Sequence, residues 1–197
     1  MTTAHASAVH DPRRGATGYT NGEVGVLLFL ATEVMLFAGL VAAVLVLRAA
    51  DRSWSAGPQH LSVGAGATGT ALLAASAFAL GFGLARARRP GGERALRGGL
   101  ALAALFGAGF VALQAFEYRA LLAEGFTWRS GPFGSAFFVL TGLHGVHVLA
   151  GVAWNALLAV RSPTRPNAVH AARLASWYGY LVDAVWLVLF VLFYLAR

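Results

Sequence analysis

The sequence predicts an all-α protein, a polytopic membrane bundle of five transmembrane helices with its N-terminus inside and its C-terminus outside. Three observations carry this expectation. Of the 197 residues 58% are hydrophobic and 12% charged. The apolar residues repeat in blocks, each able to cross a hydrocarbon layer of about 30 Å with about 20 helical residues. The basic residues fall between the blocks and favour one side.

Residues 1–22, within the stretch MTTAHASAVHDPRRGATGYTNGE, are polar and lack the apolar core of a signal peptide, so they read as a disordered cytoplasmic tail. His5 and His10 in it are expected to be solvated. Residues 23–197 form the membrane domain, with spans expected near 24–47, 61–85, 95–118, 133–160 and 174–196. The first span contains Glu33. The second carries Gly64, Gly66, Gly69, Thr68, Thr70 and Ser76, and the third Gly98, Gly99, Ala103, Gly107 and Ala108. Small residues at such spacing let helix backbones approach closely, which drives association in lipid, where water no longer does. Pro90-Gly91-Gly92 marks a tight turn between these two spans, and Pro163 and Pro166 mark the next loop on that side. The third span ends in Gln114 and Glu117, and the fifth holds Asp183. Trp54, Trp128, Trp177 and Tyr178 fall near span ends, where interfacial aromatics are expected.

Composition narrows the function. No segment outside the spans exceeds about 25 residues, which leaves no room for an extramembrane catalytic domain. A net charge of +7 and a pI near 11.0 would suggest nucleic acid in a water-soluble protein, but here the arginines occupy loops, where they set topology and meet anionic lipid. No nucleic-acid partner is expected. The chain has no cysteine, so neither disulfides nor thiolate metal sites are available. With the N-terminus inside, ten of its 15 basic residues lie inside (Arg13, Arg14, Arg86, Arg88, Arg89, Arg94, Arg97, Arg161, Arg165 and Arg173) and five outside (Arg48, Arg52, Arg119, Arg129 and Arg197).

The fourth span reads GSAFFVLTGLHGVHVLAG over 134–151 and places His144 and His147 near its centre. An ionisable side chain at that depth costs roughly 2.5 to 3.5 kcal/mol or more unless it faces the protein interior and finds a partner. At about 1.5 Å of rise per residue, Glu33 lies roughly 14 Å and Asp183 roughly 13 Å from the inner boundary, with His144 close to that level and His147 one turn nearer the cytoplasm. Glu33 or Asp183 is therefore expected to hydrogen-bond one of the histidines.

A haem fits such a layer poorly, because paired axial imidazoles usually approach from two helices, whereas His144 and His147 lie three apart on one helix and His5, His10, His60 and His170 fall in tails and loops. No metal is expected in this chain. A proton-coupled transporter would use buried carboxylates and histidines, but five spans do not divide into equal repeats. A polar network that fixes helix packing accounts for the same residues.

Four segments decide among these readings: FLATEVMLFAGL at 29–40, LQAFEYRAL at 113–121, FGSAFFVLTGLHGVHVLAG at 133–151 and VDAVWLVLFVLFYL at 182–195. In order and spacing they resemble subunit III of the haem-copper respiratory oxidases, and TALLAASAFAL at 70–80 resembles the remaining helix. Five helices correspond to the short bacterial form. The resemblance implies a non-catalytic accessory subunit in a bacterial inner membrane, packed beside catalytic subunit I and near subunit II. The haems and copper reside in the partner, and this subunit supports proton uptake, phospholipid binding and stability. It aligns Glu33 with the family's buried carboxylate, Phe29 one turn before it, His144 and His147 with paired histidines, Glu117 with the Glu-Tyr motif, and Asp183 and Trp186 with the last helix's motif. Quinol oxidases and nitric oxide reductase have accessory subunits in the same superfamily. Where most members carry Trp-His before the Val-Asp pair, this chain has Gly179-Tyr180, following Trp177-Tyr178. Tyr180 donates and accepts hydrogen bonds but does not become cationic near neutral pH. Phe29, Trp177, Tyr180 and Trp186 are candidate lipid or subunit contacts.

Overall fold

A computed structural model describes residues 19–51, 54, 61–161 and 167–195. His5, His10, His60, Pro163, Pro166 and Arg13, Arg14, Arg52, Arg165 and Arg197 lie outside the described residues. The described elements are all helical: α1 (Asn21–Ala50), α2 (Val63–Ala87), α3 (Gly92–Ala123), α4 (Pro132–Arg161) and α5 (Ala168–Phe190), which continues as a π-helical turn, Val191–Leu195. All five are long and apolar enough to cross a membrane.

Helices α1, α3 and α4 run past the expected spans at both ends, α2 is shifted by two residues and α5 starts early, because caps, not apolarity, set helix ends. At the start of α1, the Thr20 side chain accepts from the Glu23 N–H at 3.3 Å while the Glu23 carboxylate accepts from the Thr20 N–H at 2.8 Å, a reciprocal capping box. Ser62 caps α2 through the Ala65 N–H. Gly91, at φ 73°, makes the left-handed turn into α3. Pro132 opens α4, where its missing N–H costs nothing. The first turn of α5 begins six residues before the expected span and carries His170 and Arg173 beyond the apolar stretch.

Helices α2 and α3 form the tightest pair. A methyl at Gly99 would sit 2.6 Å from the Ala79 carbonyl oxygen, and one at Gly83 would sit 3.1 Å from the Gly99 Cα, so backbone meets backbone there. Helix α4 packs on α3, and α5 on α4 and α2. Helix α1 stands at the edge and touches α4 and α5. At the end that joins α3 to α4, an aromatic cluster of Trp54, Phe126, Phe133, Phe137, Phe193 and Tyr194 fills the core. The π turn buries Leu192, Phe193 and Tyr194 in succession. At the opposite end the core is built of smaller side chains, among them Leu96, Leu100, Ala103 and Ala172.

Two expected interfacial aromatics belong to this core. Trp54 is buried edge-on against Phe133, and Tyr178 is buried with its hydroxyl donating to the His147 carbonyl at 2.9 Å. Trp128 is exposed as expected, and Trp177 is half-buried under the Arg173 guanidinium.

Candidate functional site

The mid-bundle polar residues resolve into three groups. The first joins α1 to α4. On α1, Phe29, Glu33 and Phe37 recur every four residues and so share one face. Phe29 stacks on Tyr178, Glu33 Oε2 lies 2.8 Å from His147 Nε2, and Phe37 meets the His147 ring edge-on at 5.2 Å. His147 Nδ1 lies 2.8 Å from the Leu143 carbonyl oxygen. A carbonyl only accepts, so Nδ1 carries a hydrogen. Nε2 and the Glu33 carboxyl then share one further proton, either as imidazolium with carboxylate or as imidazole with carboxylic acid. Without it, two acceptors would face each other at 2.8 Å. This one-proton pair is the chemistry that the arrangement supports.

His144 is different. Although only three residues from His147, it faces α3 and α5, stacking on Trp186 at 5.4 Å with Phe110 edge-on at 5.7 Å. It is 1% exposed, and neither ring nitrogen has a hydrogen-bond partner. Glu33 therefore serves one of the two histidines, and the other rests among rings. Trp186 in turn donates from Nε1 to Thr70 Oγ1 at 3.0 Å, tying α5 to α2.

Glu117 forms the second group, nearer the aromatic end. Its Oε2 accepts from the Tyr194 hydroxyl at 2.6 Å and from Gln114 Nε2 at 3.3 Å. Next to it, the Tyr118 hydroxyl donates to Thr141 Oγ1 at 2.6 Å, since the Thr141 hydroxyl itself donates to the Phe137 carbonyl. Glu117 thus ties α3 to the π turn, and Tyr118 beside it ties α3 to α4, apart from the histidines.

Asp183 makes the third group and meets no histidine. It has no hydrogen-bond or ionic partner among the described residues. It lines a partly open cavity of about 40 Å³ shared with His147, Asn155, Ser176, Tyr178 and Tyr180. Tyr180 is 44% exposed beside α2, where its hydroxyl would lie 3.2 Å from a methyl at Gly81. Gly179 also lines the cavity, and a methyl there would touch nothing within 4 Å.

One contact escaped the sequence reading. Glu23, placed at the tail boundary, is buried and pairs with Arg173 of α5, with His170 Nδ1 3.9 Å away. The spacing Thr20-x-x-Glu23 was its visible signal, a capping-box signature immediately before an apolar run. Its ion pair was not visible, because 150 residues separate the partners.

Among the described residues no three His, Cys, Asp or Glu side chains converge as a metal site would require. Both His147 nitrogens are committed to Leu143 and Glu33, and His144 is walled by rings.

Compared with known sequences, residues 15–196 match the family described as cytochrome c oxidase subunit III. The chain is 38% identical to a probable cytochrome c oxidase subunit 3 of Nocardia farcinica, with 88% of this chain and 87% of the relative covered. It is 36% identical to the probable cytochrome c oxidase subunit 3 of Mycobacterium tuberculosis across 99% of this chain and 96% of the relative. A cytochrome bo(3) ubiquinol oxidase subunit 3 of Pseudomonas putida is 33% identical, over 87% and 84%. With five membrane-length helices and matches that run through all of them, this multi-pass membrane protein belongs to the cytochrome c oxidase subunit III family.

Proposed function

We infer that the protein is the non-catalytic subunit III of a haem-copper terminal oxidase of the cytochrome c oxidase type, acting in aerobic electron transport. The family match across residues 15–196 carries this reading. The partner chains, catalytic subunit I and subunit II, hold the haems and copper. This chain stiffens the assembly and sustains proton uptake by subunit I. Relatives named for cytochrome c and for ubiquinol oxidases favour a subunit whose contribution does not depend on the electron donor.

Structural phospholipid fits the outer grooves between α1 and α5. One, of about 240 Å³, is lined by apolar side chains including Val34, Phe37 and Val41. Another, of about 510 Å³, runs to Arg48, whose guanidinium suits a lipid phosphate. The Glu33–His147 pair is where this subunit holds a proton in the bilayer.

Purification through this chain in mild detergent is expected to bring down a much larger haem-bearing chain. Recovery of the protein alone, without a haem spectrum, would overturn the reading. In the intact oxidase, Glu33→Ala is expected to shorten the turnover lifetime. Unchanged pumping, lifetime and assembly would remove Glu33 from any functional role.

A further inference from the structure

The cavity bounded by Asp183 lies among α2, α3, α4 and α5 and reaches from the His147 level toward Asn155, two helical turns nearer the α4 C-terminus. Its wall is largely apolar, with a few acceptors set into it. Asn155 is 7% exposed, and its side-chain oxygen is buried without a partner. The Ser76 hydroxyl donates to the Ala103 carbonyl at 3.1 Å, the Ser176 hydroxyl to the Arg173 carbonyl at 2.7 Å, and Tyr178 to the His147 carbonyl at 2.9 Å. With their hydrogens so committed, these three oxygens have only lone pairs left. The Asp183 carboxyl adds two more oxygens. Buried acceptors without partners call for a small occupant that donates, and a void that offers them holds a water for each 10 to 15 Å³ or so. About three waters therefore fit the 40 Å³ here.

We propose that this cavity is a hydrated site, in which a water cluster bridges the unpartnered Asn155 side-chain oxygen and the Asp183 carboxyl. The titratable groups around it are His147 on α4, Tyr178, Tyr180 and Asp183 on α5, and Glu33 on α1 through His147; α2 contributes Ser76, and α3 only Ala103 and Gly107. The waters donate to Asn155 Oδ1 and to the Asp183 carboxyl, which gives Asp183 the partner it lacks among the described residues.

The test is infrared difference spectroscopy on the full chain, with any copurifying subunits, in lipid nanodiscs. Carboxyl bands are assigned with Asp183→Asn and Glu33→Gln. In the wild type, the Asp183 band is expected to shift promptly on transfer to D2O, and an internal-water O–H band to shift in H2(18)O. Asn155→Leu, which removes the acceptor at similar volume, is expected to abolish the water band and slow carboxyl exchange by about tenfold or more, because exchange then waits on local opening. Absence of an H2(18)O-sensitive band in the wild type overturns the proposal without relying on any variant. So does an Asp183 band that moves with sodium against potassium, which would mark a bound cation instead.

Discussion

His144 and His147 sit one helical turn apart and call for opposite outcomes on mutation. His147 is tied to Glu33, Leu143 and Phe37. Its replacement by Phe leaves the Glu33 carboxyl without a partner, and hydrogen bonds inside membrane bundles contribute on the order of 1 to 2 kcal/mol at most. His147→Phe is therefore expected to lower the melting temperature in detergent and to loosen α1. His144 has no hydrogen bond to lose. A buried polar group without a partner is costly, and an apolar ring of similar shape removes that cost, so His144→Phe is expected to leave stability unchanged or raise it by about 1 kcal/mol. Equal losses for both variants would contradict the division between them. The sequence foresaw that Glu33 or Asp183 would meet one of the two histidines, because rise per residue brings their levels close. It did not separate them: three residues turn a side chain by about 60°, enough to meet a different neighbour, and which neighbour stands there is a property of the assembled bundle. The same holds for Asp183, whose cavity was not legible.

At the scale of elements, α2 and α3 are held by glycine contact. Gly98 and Gly99 are adjacent, yet a methyl at Gly98 would meet nothing within 4 Å, whereas one at Gly99 would press on the Ala79 carbonyl and the Gly83 backbone. Gly99→Leu is expected to cost about 1 to 3 kcal/mol or more through overpacking, and Gly98→Leu to stay within about 0.5 kcal/mol as a lipid-facing change. Thermal unfolding in detergent distinguishes them; a Gly98 variant as unstable as the Gly99 one would refute the register. The sequence showed that these two helices pack through small residues, but not which of two neighbouring glycines faces the partner, because a run of small residues is compatible with several rotations. Helix α1 presents the contrast. Most of its apolar side chains face outward, as Leu28, Met35 and Val46 do, and it is attached through one stripe at Phe29, Glu33 and Phe37 and one clamp at Glu23 and Arg173.

For the whole molecule, alternation of the five helices puts Arg86, Arg88, Arg89, Arg94, Arg97, Arg161 and Arg173 at the end where α1 begins, and Arg48, Arg119 and Arg129 at the other. The positive-inside rule then predicts an inward N-terminus. The chain has no cysteine of its own, so single introduced cysteines report topology cleanly. In intact cells Ser130→Cys is expected to react with a membrane-impermeant maleimide, and Arg89→Cys to react only after permeabilisation. The reverse pattern would invert the protein in the membrane.

From the chain alone came the class of fold, the number and order of the spans and the family, because length, apolarity and motif order are written along one dimension. Tertiary structure alone decided that Glu33 chooses His147, that His144 is enclosed by Phe110 and Trp186, that Glu117 belongs to Tyr194, and that Asp183 opens on a cavity with Asn155. Those outcomes depend on the rotation of each helix about its axis. That angle is set by packing against neighbours distant in sequence, and a bilayer, which surrounds every outward face with the same hydrocarbon, does little to prescribe it.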